Sequence, residues 1–167
     1  VTPWKEQSFN AAGSGDMAEN IRFRVTAGLD DFLRAFAVRA IVFCEEQQIG
    51  YELEHDQEDR TALHIVGEIG SEPVAAGRMR FLDGYAKLER LAVRSGFRGN
   101  GFGHRLTQFM IALASERGFD ECRLHAQVHL KDFYRKHGFI EKGKVFKEAG
   151  IDHLSMVRCS GTKTGLK

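Results

Sequence analysis

The chain has 167 residues, 43% of them hydrophobic and 28% charged, and 24 basic residues against 23 acidic ones leave a formal net charge of +1. Such a length and composition suit one globular domain with a sizeable core. The near-neutral balance removes any global electrostatic case for nucleic acid, and no apolar run approaches the roughly 20 residues of a membrane helix.

Residues 1–20 are polar, with Ala11-Ala12-Gly13-Ser14-Gly15 inside, and read as a disordered or loosely docked leader without the basic-then-apolar order of a signal peptide. Ile21, Phe23 and Val25 alternate with Arg22, Arg24 and Thr26, a strand pattern. Asp30 or Asp31 is placed to cap a helix in which Phe32, Leu33, Phe36, Ala40 and Phe43 recur at helical spacing. The acidic stretch Tyr51 to Arg60 reads as loop. Ala62 to Ile69 and Val74 to Leu82 read as strands joined by the turn Gly70-Ser71-Glu72-Pro73, and Asp83-Gly84 signals a hairpin into a strand from Tyr85 to Arg94. A helix from about Gly103 to Arg117 carries Leu106, Phe109, Met110, Leu113 and Ala114 on one face and stops at Gly118. Glu121 to Ala126 is the next strand, Leu130 to His137 a short helix, and Phe139 to Phe146 and His153 to Cys159 a final strand pair. Residues 160–167 read as a polar tail. The order predicts a mixed α/β fold with a helix-covered sheet. Cys44, Cys122 and Cys159 are far apart and odd in number, which fits reduced, mostly buried thiols in a cytoplasmic protein.

The most informative stretch is Arg98-Gly99-Asn100-Gly101-Phe102-Gly103-His104, between an apolar strand and an amphipathic helix. Glycines at alternate positions let the backbone turn tightly and gather its N–H groups, and a helix starting there adds unpaired N–H groups and the positive end of its dipole. That suits a phosphate or pyrophosphate. A P-loop would need Lys and Ser/Thr after the glycine, where His104 and Arg105 stand. A G-x-G-x-x-G fingerprint would need glycine at His104 or Leu106. The pattern that remains is Arg98-x-x-Gly101-x-Gly103.

This pattern resembles the acetyl-CoA pyrophosphate loop of the GCN5-related N-acetyltransferase (GNAT) superfamily. The likeness runs from about Ile21 to Arg158 and is densest in Leu88-Glu89-Arg90-Leu91-Ala92-Val93, the loop, and Phe133-Tyr134-Arg135-Lys136-His137-Gly138-Phe139. Arg39 to Gln47 and Phe146 to His153 are similar to a small bacterial branch, ElaA/YjcF-like. Gln127 departs from the asparagine that many members carry at that place before the tyrosine. The resemblance implies a GNAT fold with a mostly antiparallel sheet splayed between its fourth and fifth strands. Acetyl-CoA would then bind through the backbone of Leu91, Ala92 and Val93 and through Arg98, Gly99, Asn100, Gly101, Phe102, Gly103 and His104. An extended amide chain can add to a strand edge as a peptide does, which agrees with that placement.

In its place within the motif, Tyr134 resembles the usual general acid, a phenol that protonates the departing thiolate. The base is open among Glu45, Glu46, Glu89, His125 and His153, with Glu46 ranked first because its helix end faces the acceptor in this fold. Direct transfer is expected, since no Ser or Cys with a paired base is apparent. His125 and His129 straddle a strand end with no further ligand near them in sequence, so no metal is expected. The basic cluster Arg94, Arg98, His104 and Arg105 is explained by an anionic co-substrate, so no nucleic acid or membrane partner is expected. The acceptor would be a small-molecule or peptide amine. Glu45, Glu46, Glu52, Glu54, Asp56, Glu58 and Asp59 would form an acidic mouth favouring ammonium ions. The oligomeric state is open, with a homodimer compatible. Two other functions compete. One is an acyl-homoserine-lactone synthase, to whose polar set Arg39, Phe43, Asp56, Asp59 and Arg78 bear a loose likeness. The other is a CoA-binding sensor without turnover.

Overall fold

A computed structural model describes residues 20–161. The expected leader lies outside the described residues apart from Asn20, and the expected tail apart from Ser160 and Gly161. Eight strands, β1 (Ile21–Val25), β2 (Leu63–Ile69), β3 (Glu72–Leu82), β4 (Tyr85–Val93), β5 (Glu121–Gln127), β6 (Ile140–Glu141), β7 (Phe146–Glu148) and β8 (Ile151–Cys159), form one sheet. The order is β1-β2-β3-β4-β5-β8-β6, with β7 also on β8. Every pairing is antiparallel except β4–β5. Helices α1 (Leu29–Arg39) and α2 (Tyr51–Glu54) belong to one side, and α3 (Phe102–Glu116) and α4 (Lys131–Arg135) to the other.

The main core lies under α3. Phe102, Leu106, Met110 and Ala114 recur at helical spacing and pack on Ile65, Met79, Leu88 and Leu124. Gly77 in β3 permits this close approach, since a Cβ there would stand 2.7 Å from Met110 Sδ. Under α1 the core-facing set is Ala35, Val38, Arg39 and Val42, one register away from the expected aromatic stripe. Leu33 is 51% exposed, while Phe32 and Phe36 lie at the rim against His64 and His55. The helix is capped by Gly28, not by Asp30 or Asp31. Asp31 instead accepts hydrogen bonds from Ala27 N–H and the Arg24 guanidinium. Beyond Arg39 the helix widens into a π-wound segment, Ala40–Glu46, closed by Gln47 N–H donating to Val42 C=O at 3.1 Å.

Tyr51 to Arg60, expected as loop, forms α2 and a 3₁₀ turn over Gln57–Arg60 with an Asp56/Asp59 capping box. Long-range ion pairs order it. Arg39, fully buried, donates to Glu54 Oε1 (2.6 Å) and Asp59 Oδ1 (2.7 Å). Arg78, 1% exposed, donates to Asp56 (2.6 Å) and Asp59 (2.9 Å) and pairs with Glu89 (3.0 Å). The final strand expected over Phe139 to Phe146 is two strands, β6 and β7, broken around Gly143, which holds φ 86°. Cys44 and Cys122 are buried as expected, but Cys159 is exposed.

Glu89 faces Arg78, Arg80 and Lys87, whose charges outweigh the cost of burial and hold its carboxyl at about 2, below the ordinary 4.5. A depressed carboxyl adds stability that is fully present above the unfolded value and is lost as pH falls from about 4.5 through about 2. Asp59 is lowered further by Arg39 and Arg78, against the opposing effect of its burial. Asp59→Asn should therefore leave two buried guanidinium groups undercompensated and cost about 3–5 kcal/mol in urea unfolding. Glu58→Gln, which removes a half-exposed partner of Arg80, should stay within about 1 kcal/mol.

Candidate active site

The parallel β4–β5 contact is short. It pairs Ala86 with Cys122 and Lys87 with Arg123, and no further β4–β5 pair occurs among the described residues. From there the strands diverge, and β4 carries a bulge. Its register against β3 runs from Ala76↔Ala92 to Arg78↔Glu89, so β4 spends an extra residue, and Arg90 takes φ 54°. A bulge bends its strand and raises the local twist. The C-terminal half of β4 is thereby swung away from β5 while β5 continues along β8.

One cleft, about 670 Å³, runs from this gap to the glycine loop. Leu91, Ala92 and Val93 form one wall, and Arg98, Gly99, Gly101, Phe102, Gly103 and His104 line the far end. Gly101, at φ 76°, is the N-cap of α3. The first bond of that helix is Arg105 N–H to Gly101 C=O (3.1 Å), so the N–H groups of Phe102, Gly103 and His104 precede the ladder. A helix start of this kind suits an anion, and it opens on a cleft. Asn100 does not line the cleft. Its amide donates to Phe97 C=O at 3.1 Å and ties the loop to itself. Of the basic cluster, Arg98 and His104 line the cleft, whereas Arg94 turns to Glu72 and Pro73 and Arg105 donates to Ile21 C=O. His104 Nδ1 lies 2.9 Å from His137 Nε2, beside Phe133.

A second cleft, about 220 Å³, opens on the α1 side. It is lined by Phe43, Lys87 to Leu91, His125, Glu148 and His153. Gln47, Leu91, Leu130 and Tyr134 line both clefts. Gln127 Nε2 donates to Gln47 Oε1 at 2.9 Å, a bridge from β5 to the end of the first helix. Tyr134 is 7% exposed, its ring held edge-on by Phe133 and Phe139, and burial pushes its phenol well above the usual tyrosine range.

The base candidates part company here. Glu46 belongs to the first cleft, where its carboxylate accepts from Ser95 N–H (3.2 Å) and from Arg98. The π-wound end of the first helix presents it to the glycine loop rather than to the second cleft. Glu45 lines neither cleft and accepts from Tyr51. Glu89 lines the second cleft but is neutralised by Arg78, Arg80 and Lys87. His125 and His153 both line it. His129 lies in the first cleft, away from His125, and among the described residues no group of three or more His, Cys, Asp or Glu is arranged to hold a metal ion. Five of the seven carboxylates of the expected acidic mouth are matched by arginine. Glu54, Asp56, Glu58 and Asp59 are engaged by Arg39, Arg78, Arg80 and Arg90, and Glu46 by Arg98. The same ion pairs take up Arg39, Asp56, Asp59 and Arg78, the polar set that bore the likeness to lactone synthases.

Sequence reasoning passed over Glu148 and Gln47. Both lie in the quoted segments, but only the folded hairpin and the helix end bring them to the cleft.

A sheet parted at a parallel pair, with an anion-binding helix start at one mouth and a polar cleft at the other, defines the acyl-CoA N-acyltransferase class. The chain matches the family model described as acetyltransferase (GNAT) domain over residues 37–159. It is 40% identical over 125 residues to the uncharacterised N-acetyltransferase YjcF of Bacillus subtilis, covering 74% of this chain and 89% of that one. It is 32% identical to the ElaA protein of Escherichia coli over 72% of this chain and 82% of that one. Among solved structures, an acyl-CoA N-acyltransferase from Pseudomonas aeruginosa superposes with a TM-score of 0.77 at 26% identity, over 83% of this chain and 99% of that one. Escherichia coli ElaA superposes at 0.75 and 26%, over 83% and 99%. The chain belongs to the GNAT acetyltransferase family, in its ElaA/YjcF-like branch. No helix among the described residues is long and apolar enough to cross a membrane.

The loop supplies a direct test. At Gly101 any side chain is strained by the backbone angle alone, although a Cβ would meet nothing within 4 Å. Gly103 has no such angle, and a Cβ there would stand in ordinary contact, 3.4 Å from Phe133, on the cleft wall. Gly103→Val should weaken acetyl-CoA binding about tenfold or more, read by calorimetric titration, with cooperative unfolding retained.

Proposed function

We propose that this enzyme transfers the acetyl group of acetyl-CoA directly to the nitrogen of a primary amine, on a small molecule or a peptide. The observation that carries the proposal is the position of Tyr134, which lines both clefts at the β4–β5 gap. In this reading the pyrophosphate lies on the N–H groups of Phe102, Gly103 and His104. The pantetheine arm follows the backbone of Leu91, Ala92 and Val93, and the amine enters from the second cleft. Arg98, Gly99 and Gly101 shape the loop, and Asn100 braces it from behind.

The linings of the two clefts support direct transfer. Neither Cys44 nor Cys122 lines either cleft, and burial raises both thiols, so neither is a ready nucleophile. The amine nitrogen attacks the thioester carbonyl, the N–C bond forms, the C–S bond breaks, and the sulfur departs as a thiolate. The Tyr134 phenol is protonated at neutral pH, with burial raising it further above the usual tyrosine range, and it can donate to that sulfur as charge develops. Glu46 takes the role of a positioning residue: it orients Arg98 and pins the Ser95 amide at the start of the loop.

Thiol release from acetyl-CoA, run against spermidine, glucosamine and a lysine-containing peptide with mass detection of the acetylated amine, tests the activity. No CoA-dependent acetylated product from any primary amine would leave binding without turnover as the better reading. Tyr134→Phe should lower kcat on the order of 100-fold while the KM for acetyl-CoA changes little. A wild-type kcat across the pH range would remove Tyr134 from the chemistry.

A further inference from the structure

The second cleft holds a pairing to which nothing above gives a role. His125, on β5, faces the cleft from beside the gap, and its Nδ1 lies 2.9 Å from Oε2 of Glu148 on β7. We infer that His125 is the general base of the transfer and that Glu148 is the positioning residue that orients it. The inference rests on the acyltransferase reading and deepens it.

The geometry carries it in three steps. An ionised carboxylate only accepts, so Nδ1 of His125 must carry the proton of this bond, and Nε2 is left with the lone pair in the neutral ring. Glu148 is ionised there, because its hydrogen bond to His125 holds the carboxyl below the ordinary glutamate range. The base is thus oriented by a third group, the arrangement that an activated nucleophile calls for. Second, the His125 side chain is 36% exposed, so an incoming amine can reach it, and the edge-on ring of Phe146 at 4.9 Å limits its rotation. Third, the strand register sets its level. Lys87 and Arg123 form the last β4–β5 pair, and His125 lies two residues beyond it on β5, in the cleft that Glu89, Arg90 and Leu91 also line. Tyr134 reaches the same gap as part of the main core, which lies on the opposite side of the sheet. Acid and base would then address the thioester from the two faces.

The rivals are spent. Glu89 is held by two arginines and a lysine, and Glu46 lies at the glycine loop. His153 donates its Nδ1 proton to Ile151 C=O at 2.8 Å and stacks on Phe146, one strand further from the gap and with no carboxylate on its ring. The titratable and charged groups that share a cleft with His125 are Glu148 from β7, His153 from β8, Lys87, Glu89 and Arg90 from β4, Glu54 from α2, Tyr134 from α4, Arg123 from its own strand, and Lys142 and Tyr85 across the neighbouring groove. In the step, the proton shed by the attacking nitrogen passes to His125 Nε2 as the N–C bond forms, and Tyr134 protonates the departing sulfur. Exchange with solvent then returns the imidazolium and the phenolate to their starting forms, so the net reaction moves one proton from nitrogen to sulfur.

The test is the pH profile of kcat/KM for spermidine, glucosamine and the lysine peptide in four proteins, each first shown to unfold at the wild-type temperature and to bind acetyl-CoA. The wild type should show an acidic limb, with rate rising as one group loses a proton. His125→Gln should lose that limb and fall about 100- to 10,000-fold. Glu148→Gln should keep the limb but move it to lower pH, because removing the carboxylate disfavours the imidazolium. A merely structural Glu148 would leave the limb in place. His153→Gln should keep the limb where it is. Retention of the limb in His125→Gln, or its loss in His153→Gln alone, overturns the inference while leaving the acyltransferase reading intact. Absence of transfer in the wild type overturns both.

Discussion

The buried ion-pair network around Arg39 and Arg78 is the constraint on which the site depends. Two guanidinium groups with almost no solvent access must be matched by carboxylates, and Glu54, Asp56, Asp59 and Glu89 do so from α2, the turn after it, and β4. Burying ions costs more than their mutual attraction readily returns, so such a cluster adds little net stability over apolar packing. It adds specificity of arrangement, because each charge has few places where it is satisfied. Here the arrangement clamps Glu89 between Arg78 and Arg80, while Arg90 donates to the carbonyls of Leu53 and Glu54. Arg90, in the left-handed backbone region, is thereby held on both sides of its strained angle.

From that clamp the parted sheet follows. A parallel pair limited to Ala86 and Lys87 would ordinarily extend along both strands, but the extra residue in β4 turns the strand before it can. Leu91 to Val93 then line a cleft instead of pairing with β5. The same divergence admits Tyr134 from one layer and His125 from the other. Charge is segregated accordingly. Arg98, His104 and a helix start line one mouth, while the carboxylates of the other side are almost all matched by arginine. Attraction for an anion is therefore local to the loop, in a chain whose net charge is only +1.

What could be read from the sequence was what local rules determine. Alternation in Ile21 to Val25, the Asp83-Gly84 turn and the helical spacing of Leu106, Met110 and Ala114 each reflect neighbours in sequence, and each element formed where its pattern lay. The glycine loop was legible for the same reason. The segment Tyr51 to Arg60 was not, because its turns are held by Arg39 and Arg78, which stand 15 to 22 residues away from the carboxylates they bind. Nor was the direction of Glu46, which depends on π-wound backbone and on Arg98, 52 residues on. The first helix misled by a single register. Its phenylalanines suggested a core face, yet the sheet accepts the small residues Ala35 and Val38 and leaves the rings at the rim. Counting aromatic residues cannot reveal how closely two layers approach.

The hairpin that delivers Glu148 shows how a turn too small to attract notice can set chemistry. Ala149 and Gly150 join β7 to β8, both with positive φ, at 48° and 77°. Two such central residues make the turn type that matches the twist of a two-residue hairpin. That turn leaves no freedom in register: Glu148 must face Ile151, and Phe146 must face His153. A slip of one residue would send every side chain of β7 to the other face. Phe146 would leave the space between the two imidazoles, and the carboxylate would leave Nδ1 of His125 for solvent. The alanine carries the backbone cost of that geometry, since a left-handed angle is unfavourable for any residue with a Cβ. The strain is local to the turn, and what it secures is the placing of one carboxylate beside one imidazole at the open edge of the gap.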